Sequence, residues 1–144
     1  MSLTLLELSL QQVPFLATLG VRPQEASPGK VVLRLPYARD LANHAGALHT
    51  GAVFAVGELA AAVALGSHPS LASAVQLQKS TKIKYYLATN TDVTAHVALD
   101  DAAVEQAVAS MASGPVELEV TVEVRDPKGR AVAELASKFV LRPR

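Results

Sequence analysis

The sequence predicts an α+β domain, an antiparallel β-sheet wrapped around one long central α-helix, and three stretches carry that prediction. The first is HTGAVFAVGELAAAVALG, residues 49–66, a nearly unbroken apolar run with room for about four turns of helix and apolar residues on every face. The second is VELEVTVEV, residues 116–124, where valine and leucine alternate with Glu117, Glu119, Thr121 and Glu123, so that one strand face is buried and the other solvated. The third is the turn Asp126-Pro127-Lys128-Gly129, after which residues 130–142 return as the partner strand of a hairpin.

At the amino terminus, Leu5, Leu6, Leu8, Val13, Phe15, Leu16 and Leu19 mark an approximate helical face that Pro14 interrupts and Gly20 closes, which predicts one or two short amphipathic helices. Residues 21–27 and 30–35 flank Pro28-Gly29, whose fixed and permissive backbone angles make a tight turn, and they read as strand, turn, strand. Residues 37–48 are polar and small, as in a loop. The long helix, residues 51–65, follows and reads as surrounded by protein. After Ser67-His68-Pro69 the pattern changes: AVQLQ alternates, and KIKYY and residues 92–99 continue in strand composition. Residues 100–112 form a short helix capped by an aspartate and ended near Gly114. Two strands thus precede the long helix and about four follow it, in a single domain spanning residues 1–144.

A chain of 144 residues buries roughly two thirds of its unfolded surface, enough for a self-sufficient core. Its 13 basic side chains balance 13 acidic ones, which argues against nucleic acid or an anionic membrane as partner and suits self-association. With no cysteine there is no disulfide, thiolate metal site or cysteine nucleophile. The first 20 residues carry Glu7 and lack a basic segment and cleavage site, so they read as mature fold rather than signal peptide. The apolar run falls short of a membrane span and Glu58 interrupts it; we expect no membrane partner and a cytoplasmic location. His44, His68 and His96 show no metal-ligand spacing, and no metal is expected.

Glu58 demands an explanation, because an ionised carboxylate in an apolar interior costs several kcal/mol unless it is paired, hydrogen-bonded or neutralised. Ahead of it stands NHAGALHTG, with Asn43, Gly46, His49, Thr50 and Gly51. The helix start at Thr50-Gly51 offers backbone N–H groups without internal partners, a ready site for a developing oxyanion. Glu58 lies about two turns further along the same helix and can serve as base or nucleophile for a small group held at its start. Each residue has a plainer reading. Glu58 is then satisfied by a lysine or a backbone N–H, or sits on a helix face that is exposed after all, Asn43 and Gly46 stabilise a loop, and His49 is a packed histidine.

The spacing resembles that of the hotdog-fold acyl-CoA thioesterases, whose pattern is N-x-x-G-x-x-H-G-G with an Asp or Glu nine residues after the His. Here Asn43 stands six residues before His49 and Glu58 nine after it, and the order of elements matches along the whole chain. The sequence resembles the phenylacetyl-CoA thioesterase-like group and looks closest to a poorly characterised thioesterase-like branch of it, so the resemblance implies no particular acyl group. The resemblance implies that Glu58 is the catalytic general base or nucleophile, that Asn43 positions water or carboxylate, and that the backbone N–H of Thr50 or Gly51 is the oxyanion donor. His49 would shape the loop and support the thioester. It also implies a homodimer or a dimer of dimers in which sheets join edge to edge, so that Asn43 and Thr50 of one chain face Glu58 of the other. Coenzyme A enters only as part of the substrate, with no further cofactor. Gln76 or Gln78 would supply a polar residue beyond the central helix, and Lys79, Lys82 and Lys84 would meet coenzyme A phosphates, against the plainer reading of a solvated strand face. Thr50 departs from the pattern's first glycine, which keeps open a non-catalytic acyl-CoA or lipid-binding module of the same fold.

Overall fold

The computed structural model describes residues 2–144. Two short helices open it. Helix α1 (Leu3–Gln11) is capped by the Ser2 hydroxyl, which accepts from the Leu5 N–H at 3.2 Å. Helix α2 (Pro14–Leu19) starts with proline at its first position, where no N–H is needed, and ends at Gly20 with φ +73°. Strands β1 (Arg22–Ser27) and β2 (Lys30–Leu35) form the expected hairpin about Pro28-Gly29. A loop with one 3-10 turn at Arg39–Leu41 leads into helix α3 (Thr50–Ser67). Then come β3 (Ala74–Tyr85), β4 (Val93–Ala98), α4 (Asp101–Ser110), β5 (Val116–Arg125) and β6 (Ala131–Pro143).

The six strands make one antiparallel sheet in the order β1-β2-β4-β5-β6-β3, which carries β3 to the edge opposite β1. The segments around Gln76 and Lys82 belong to one twelve-residue strand, continuous but for a bulge at Lys79 where the register with β6 shifts. Alternation does the sorting: Val31, Leu33 and Leu35, then Val93 and Ala95, then Val120, Val122 and Val124, then Leu135, Phe139 and Leu141 are buried against α3.

From α3 the sheet receives Val53, Val56, Ala60, Ala61, Ala64 and Leu65. The alanines let the helix lie close to the strands, and Gly57 brings it closer still. A Cβ there would stand 2.6 Å from Leu135 Cδ1 and 2.8 Å from Cδ2. The helix is not enclosed on every side, however. Phe54, Glu58, Leu59, Ala62 and Val63 are only half-buried, and Thr50, Gly51 and Gly66 are exposed, so one face of α3 stays open. The chain has too few layers to cover both sides of this helix.

The expectation that the apolar run is too short for a membrane span also needs correcting. Helix α3 has 18 residues and a mean hydropathy of 1.5, long and apolar enough by length and composition to cross a membrane; half of it is buried inside the fold. A core helix meets the same criterion, and the sheet supplies its apolar surroundings.

Candidate active site

The loop before α3 is built by its own backbone and two side chains. Asn43 Oδ1 accepts from the N–H of Ala45 at 2.9 Å and of Ala47 at 3.1 Å, an aspargine-type turn that holds residues 43–47 in a tight arc. Gly46 sits inside it at φ +81°, a conformation that favours glycine. The Tyr37 hydroxyl donates to the Gly46 carbonyl at 2.7 Å. Asn43 is therefore a loop stabiliser through its oxygen, and its side-chain NH2 is left over for a ligand. Gly46 acts here through backbone shape.

His49 is the N-cap of α3. Its Nδ1 accepts from the Gly51 N–H at 2.8 Å, so the ring proton of the neutral imidazole sits on Nε2. This separates the two candidate oxyanion donors. The Gly51 N–H is occupied, whereas the Thr50 N–H, at the first position of the helix, has no partner among the described residues. Replacing the usual glycine by threonine leaves that donor in place.

Glu58 lies on the open face of α3 with Phe54 and Ala62, one turn either way. Among the described residues no lysine, arginine or histidine pairs with it and no N–H donates to it, which removes the reading of a locally satisfied carboxylate and leaves the other plain reading, a helix face exposed after all, in agreement with its half-buried position. Its distance from the helix start also corrects the expectation that one chain's Glu58 reaches a group held there. Eight residues of rise put it about 12 Å along the axis from Thr50, beyond the reach of a side chain to one carbonyl.

Strand register places the remaining candidates. Gln76 opposes Leu141 and Gln78 opposes Phe139, both core residues, so these glutamines share the α3 side of the sheet. Gln78 Nε2 donates to Thr81 Oγ1 at 2.6 Å, and Thr81 meets the buried Ser137 hydroxyl at 2.9 Å. Lys82 opposes Ala136 and Lys84 opposes Glu134, on the far side of the sheet from α3, and Lys79 in the bulge pairs with Glu117. The three lysines are thus not brought together with the loop and helix start.

Two tyrosines beside the site carry no role in the sequence reading. Tyr85, at the end of β3, donates its hydroxyl to the Thr50 carbonyl at 3.2 Å, and Tyr86 follows it. Both are exposed, and the only trace of them in the sequence is an aromatic pair closing a strand. With Asn43, Leu48, Thr50, Val53 and Thr89 they line a 290 Å³ cavity on one side of the α3 start. On the other side lies a 360 Å³ cavity lined by Phe15, Leu19, Asp40, Leu41, Ala42, His49, Gly51 and Ala52.

Away from this site, on the sheet face opposite α3, His96 Nε2 lies 2.7 Å from Thr94 Oγ1, and burial first and Arg125 second lower its pKa. A hydrogen bond from Arg125 lowers Glu123, and one from Lys79 lowers Glu117. Burial pushes the Asp126 carboxyl up, but the backbone N–H and guanidinium of Arg130, with the Lys128 N–H, outweigh it and leave that pKa lowered. These are structural ion pairs of the strands and the β5–β6 turn. The buried His68 accepts from the Ser70 N–H and places Nε2 3.0 Å from Asp101, fastening α4 to the end of α3. Among the described residues no three of His, Cys, Asp and Glu gather as a metal site.

This architecture recurs in known structures. A Pseudomonas aeruginosa protein described as a probable thioesterase superposes with a TM-score of 0.92 at 24% identity, covering 100% of this chain and 97% of its own. A thioesterase family protein from Silicibacter pomeroyi gives 0.73 at 25% identity, with 94% of each chain covered. A variant of the phenylacetic acid degradation protein PaaI from Thermus thermophilus gives 0.68 at 21% identity over 90% of this chain and 98% of that one. No curated protein matches the sequence. The fold is the hotdog fold of thioesterase-like proteins. Within it, a family profile described as a domain of unknown function, DUF4442, matches residues 4–141, and the chain belongs to that family.

Proposed function

We propose that the protein hydrolyses an acyl-CoA thioester to the free acid and coenzyme A, at a site shared by two copies of the chain. The observation that carries this reading is the pairing of a partnerless Thr50 N–H at the start of α3 with an unpaired Glu58 carboxylate on the open face of the same helix. Thioesterases among the structural relatives support the reaction class. The thioester carbonyl oxygen accepts from Thr50, where the helix dipole adds positive potential. Glu58 takes a proton from water as the water oxygen attacks the carbonyl carbon. The C–S bond then breaks and coenzyme A leaves as a thiolate, a good leaving group that requires no strong acid. Direct attack by Glu58 would instead give a mixed anhydride that water cleaves.

The 12 Å gap within one chain favours a site formed across a two-fold axis. Strand β3 supplies a candidate seam: it is an edge strand of 12 residues, largely exposed, with a row of unpaired backbone groups and the exposed Leu77. Antiparallel pairing of two β3 strands would set two α3 helices side by side with their open faces at the junction. Glu58 of one copy then approaches Thr50 and Asn43 of the other. A dimer of dimers is compatible with the same seam. No cofactor besides the coenzyme A of the substrate takes part, and the cytoplasm, where acyl-CoA is made, is the proposed location.

Hybrid formation tests both the chemistry and the sharing. Thr50→Pro and Glu58→Ala should each be inactive alone. Mixed and allowed to exchange subunits, they should regain about a quarter of the wild-type rate, because each hybrid holds one intact site. A mixture that forms hybrids and stays inactive would place both groups in one chain and refute the shared site. Wild-type protein that is stabilised by acyl-CoA without releasing thiol would instead identify a binding module.

A further inference from the structure

We propose that Tyr85 is a positioning residue for the candidate oxyanion donor: from the end of β3 it holds the first turn of α3, so that the Thr50 N–H is aimed before a substrate arrives. This rests on the thioesterase reading of the site and adds to it a residue from the edge strand. The N–H groups from Gly46 to Gly51 lead through the loop into the helix. That of Gly46 donates to the Asn43 carbonyl at 3.0 Å, that of Ala47 to Asn43 Oδ1 at 3.1 Å, and that of Leu48 to the Thr89 carbonyl at 2.8 Å. The His49 N–H donates to the Leu41 carbonyl at 2.8 Å, and the Gly51 N–H to His49 Nδ1, also at 2.8 Å. Among the described residues, only the Thr50 N–H in this run lacks an acceptor. The donor is a gap in a segment that is otherwise tied at every step.

A helix start is where a helix frays, because its first N–H groups have no partner one turn back. An oxyanion donor stabilises most when it is already oriented, since turning it during the reaction costs part of the gain. Two side chains oppose fraying here by gripping one peptide group, that between Thr50 and Gly51. His49 Nδ1 takes its N–H, and the Tyr85 hydroxyl donates to its carbonyl at 3.2 Å. With both ends of that group held, the backbone beside it is fixed, and with it the direction of the preceding Thr50 N–H. At the other end of the loop the Tyr37 hydroxyl holds the Gly46 carbonyl in the same way. Strand alternation explains why Tyr85 is the residue that reaches α3. It opposes the buried Ala133, as Ile83 opposes the buried Leu135, so its ring points to the α3 side of the sheet. Its backbone is anchored in turn, because the Tyr86 N–H donates to the Val132 carbonyl at 2.8 Å. Packing does not account for a tyrosine at this position. Tyr85 is 45% exposed, and phenylalanine would fill the same space; the hydroxyl is what meets the helix.

The test is Tyr85→Phe, which removes the hydroxyl and keeps the ring, made in the wild type and in Thr50→Pro, with thiol release measured on the best acyl-CoA. In the wild-type background kcat should fall about three- to tenfold, the range for one neutral hydrogen bond, with KM unchanged. In Thr50→Pro, which has no N–H left to aim, the same change should leave the residual rate as it is. A fall of equal size in both backgrounds would show that Tyr85 acts apart from the Thr50 donor and would overturn the assignment. An unchanged kcat, or a raised KM, would overturn it too. Solvent exchange of the Gly51 amide, followed by NMR, reads the clamp without turnover. Tyr85→Phe should speed that exchange about three- to tenfold, and an unchanged rate sinks the proposal. If the wild type hydrolyses no acyl-CoA, hydrolysis fails as a reading, and the exchange rate still decides whether Tyr85 holds the helix start.

Discussion

Thr50→Pro removes one atom group from the proposed chemistry and almost nothing from the fold. Thr50 is the first residue of α3, where proline is well tolerated because no helical N–H is lost and its ring meets no preceding turn. The preceding residue, His49, has φ −61° and ψ 139°, the extended region that a residue before proline prefers. The N–H that disappears has no partner among the described residues, so no hydrogen bond between them is broken. Restricting the unfolded chain should leave the protein unchanged or more stable by up to about 1 kcal/mol. The oxyanion, however, loses its donor. Removing one such donor costs ~2.7–4 kcal/mol of transition-state stabilisation, a fall in kcat of about 100- to 1,000-fold. Thiol release from the best acyl-CoA gives the rate, urea unfolding gives the stability, and Thr50→Gly, which keeps the N–H, is the control. A folded Thr50→Pro that turns over at the wild-type rate would refute the helix-start oxyanion site and the reasoning from which N–H is free.

Other expectations follow from particular contacts. Gly57→Ala should lower stability by about 1–2 kcal/mol in urea unfolding, because the new methyl group overpacks against the fully buried Leu135 by more than the helix gains in propensity; equal or greater stability would mean that Leu135 turns aside freely. His49→Ala should cost ~1 kcal/mol through the lost cap on Gly51, measured the same way, and no loss would show that the cap bond contributes nothing in solution. Light scattering at micromolar concentration should give at least twice the 15.1 kDa of one chain, and an active monomer would break the shared-site geometry. Stability should fall with acid in two stages. His96 is lowered from 6.5 in the fold, so the unfolded chain binds its proton more readily and stability drops as pH falls through and below 6.5. Glu117, Glu123 and Asp126 are lowered as well, so a second loss follows as pH falls through the carboxylate range. Urea midpoints that rise on acidification would contradict both signs.

Local patterns in the chain carried much of this fold. The alternation of VELEVTVEV sets which residues of β5 face α3, and Pro28-Gly29 and the 126–129 turn fix two hairpins, since each depends on neighbours a few residues away. The spacing of Asn43, His49 and Glu58 marked the loop and helix for the same reason: a turn, a cap and a helix face are all short-range geometry. Where the sequence reading was too coarse, the missing facts were long-range. An apolar residue on every face of residues 51–65 reads as full burial, yet a six-stranded sheet covers only one side and leaves the Glu58 side open. Lysines that look continuous with Gln76 and Gln78 are turned to the opposite face by strand alternation around the bulge at Lys79.

By itself, then, the sequence determined the elements, their order, and the residues gathered around one helix start, because hydrogen bonding and side-chain periodicity act within a turn or a strand. Only the tertiary structure decided which of those residues are free to act. His49 occupies the Gly51 N–H and leaves that of Thr50, Tyr85 arrives from 35 residues away to hold the same turn, and Phe15 and Leu19 from α2 wall the cavity beside it. Those contacts join segments that only the folded sheet brings together, and no local pattern encodes which distant side chain will fill the space next to a helix end.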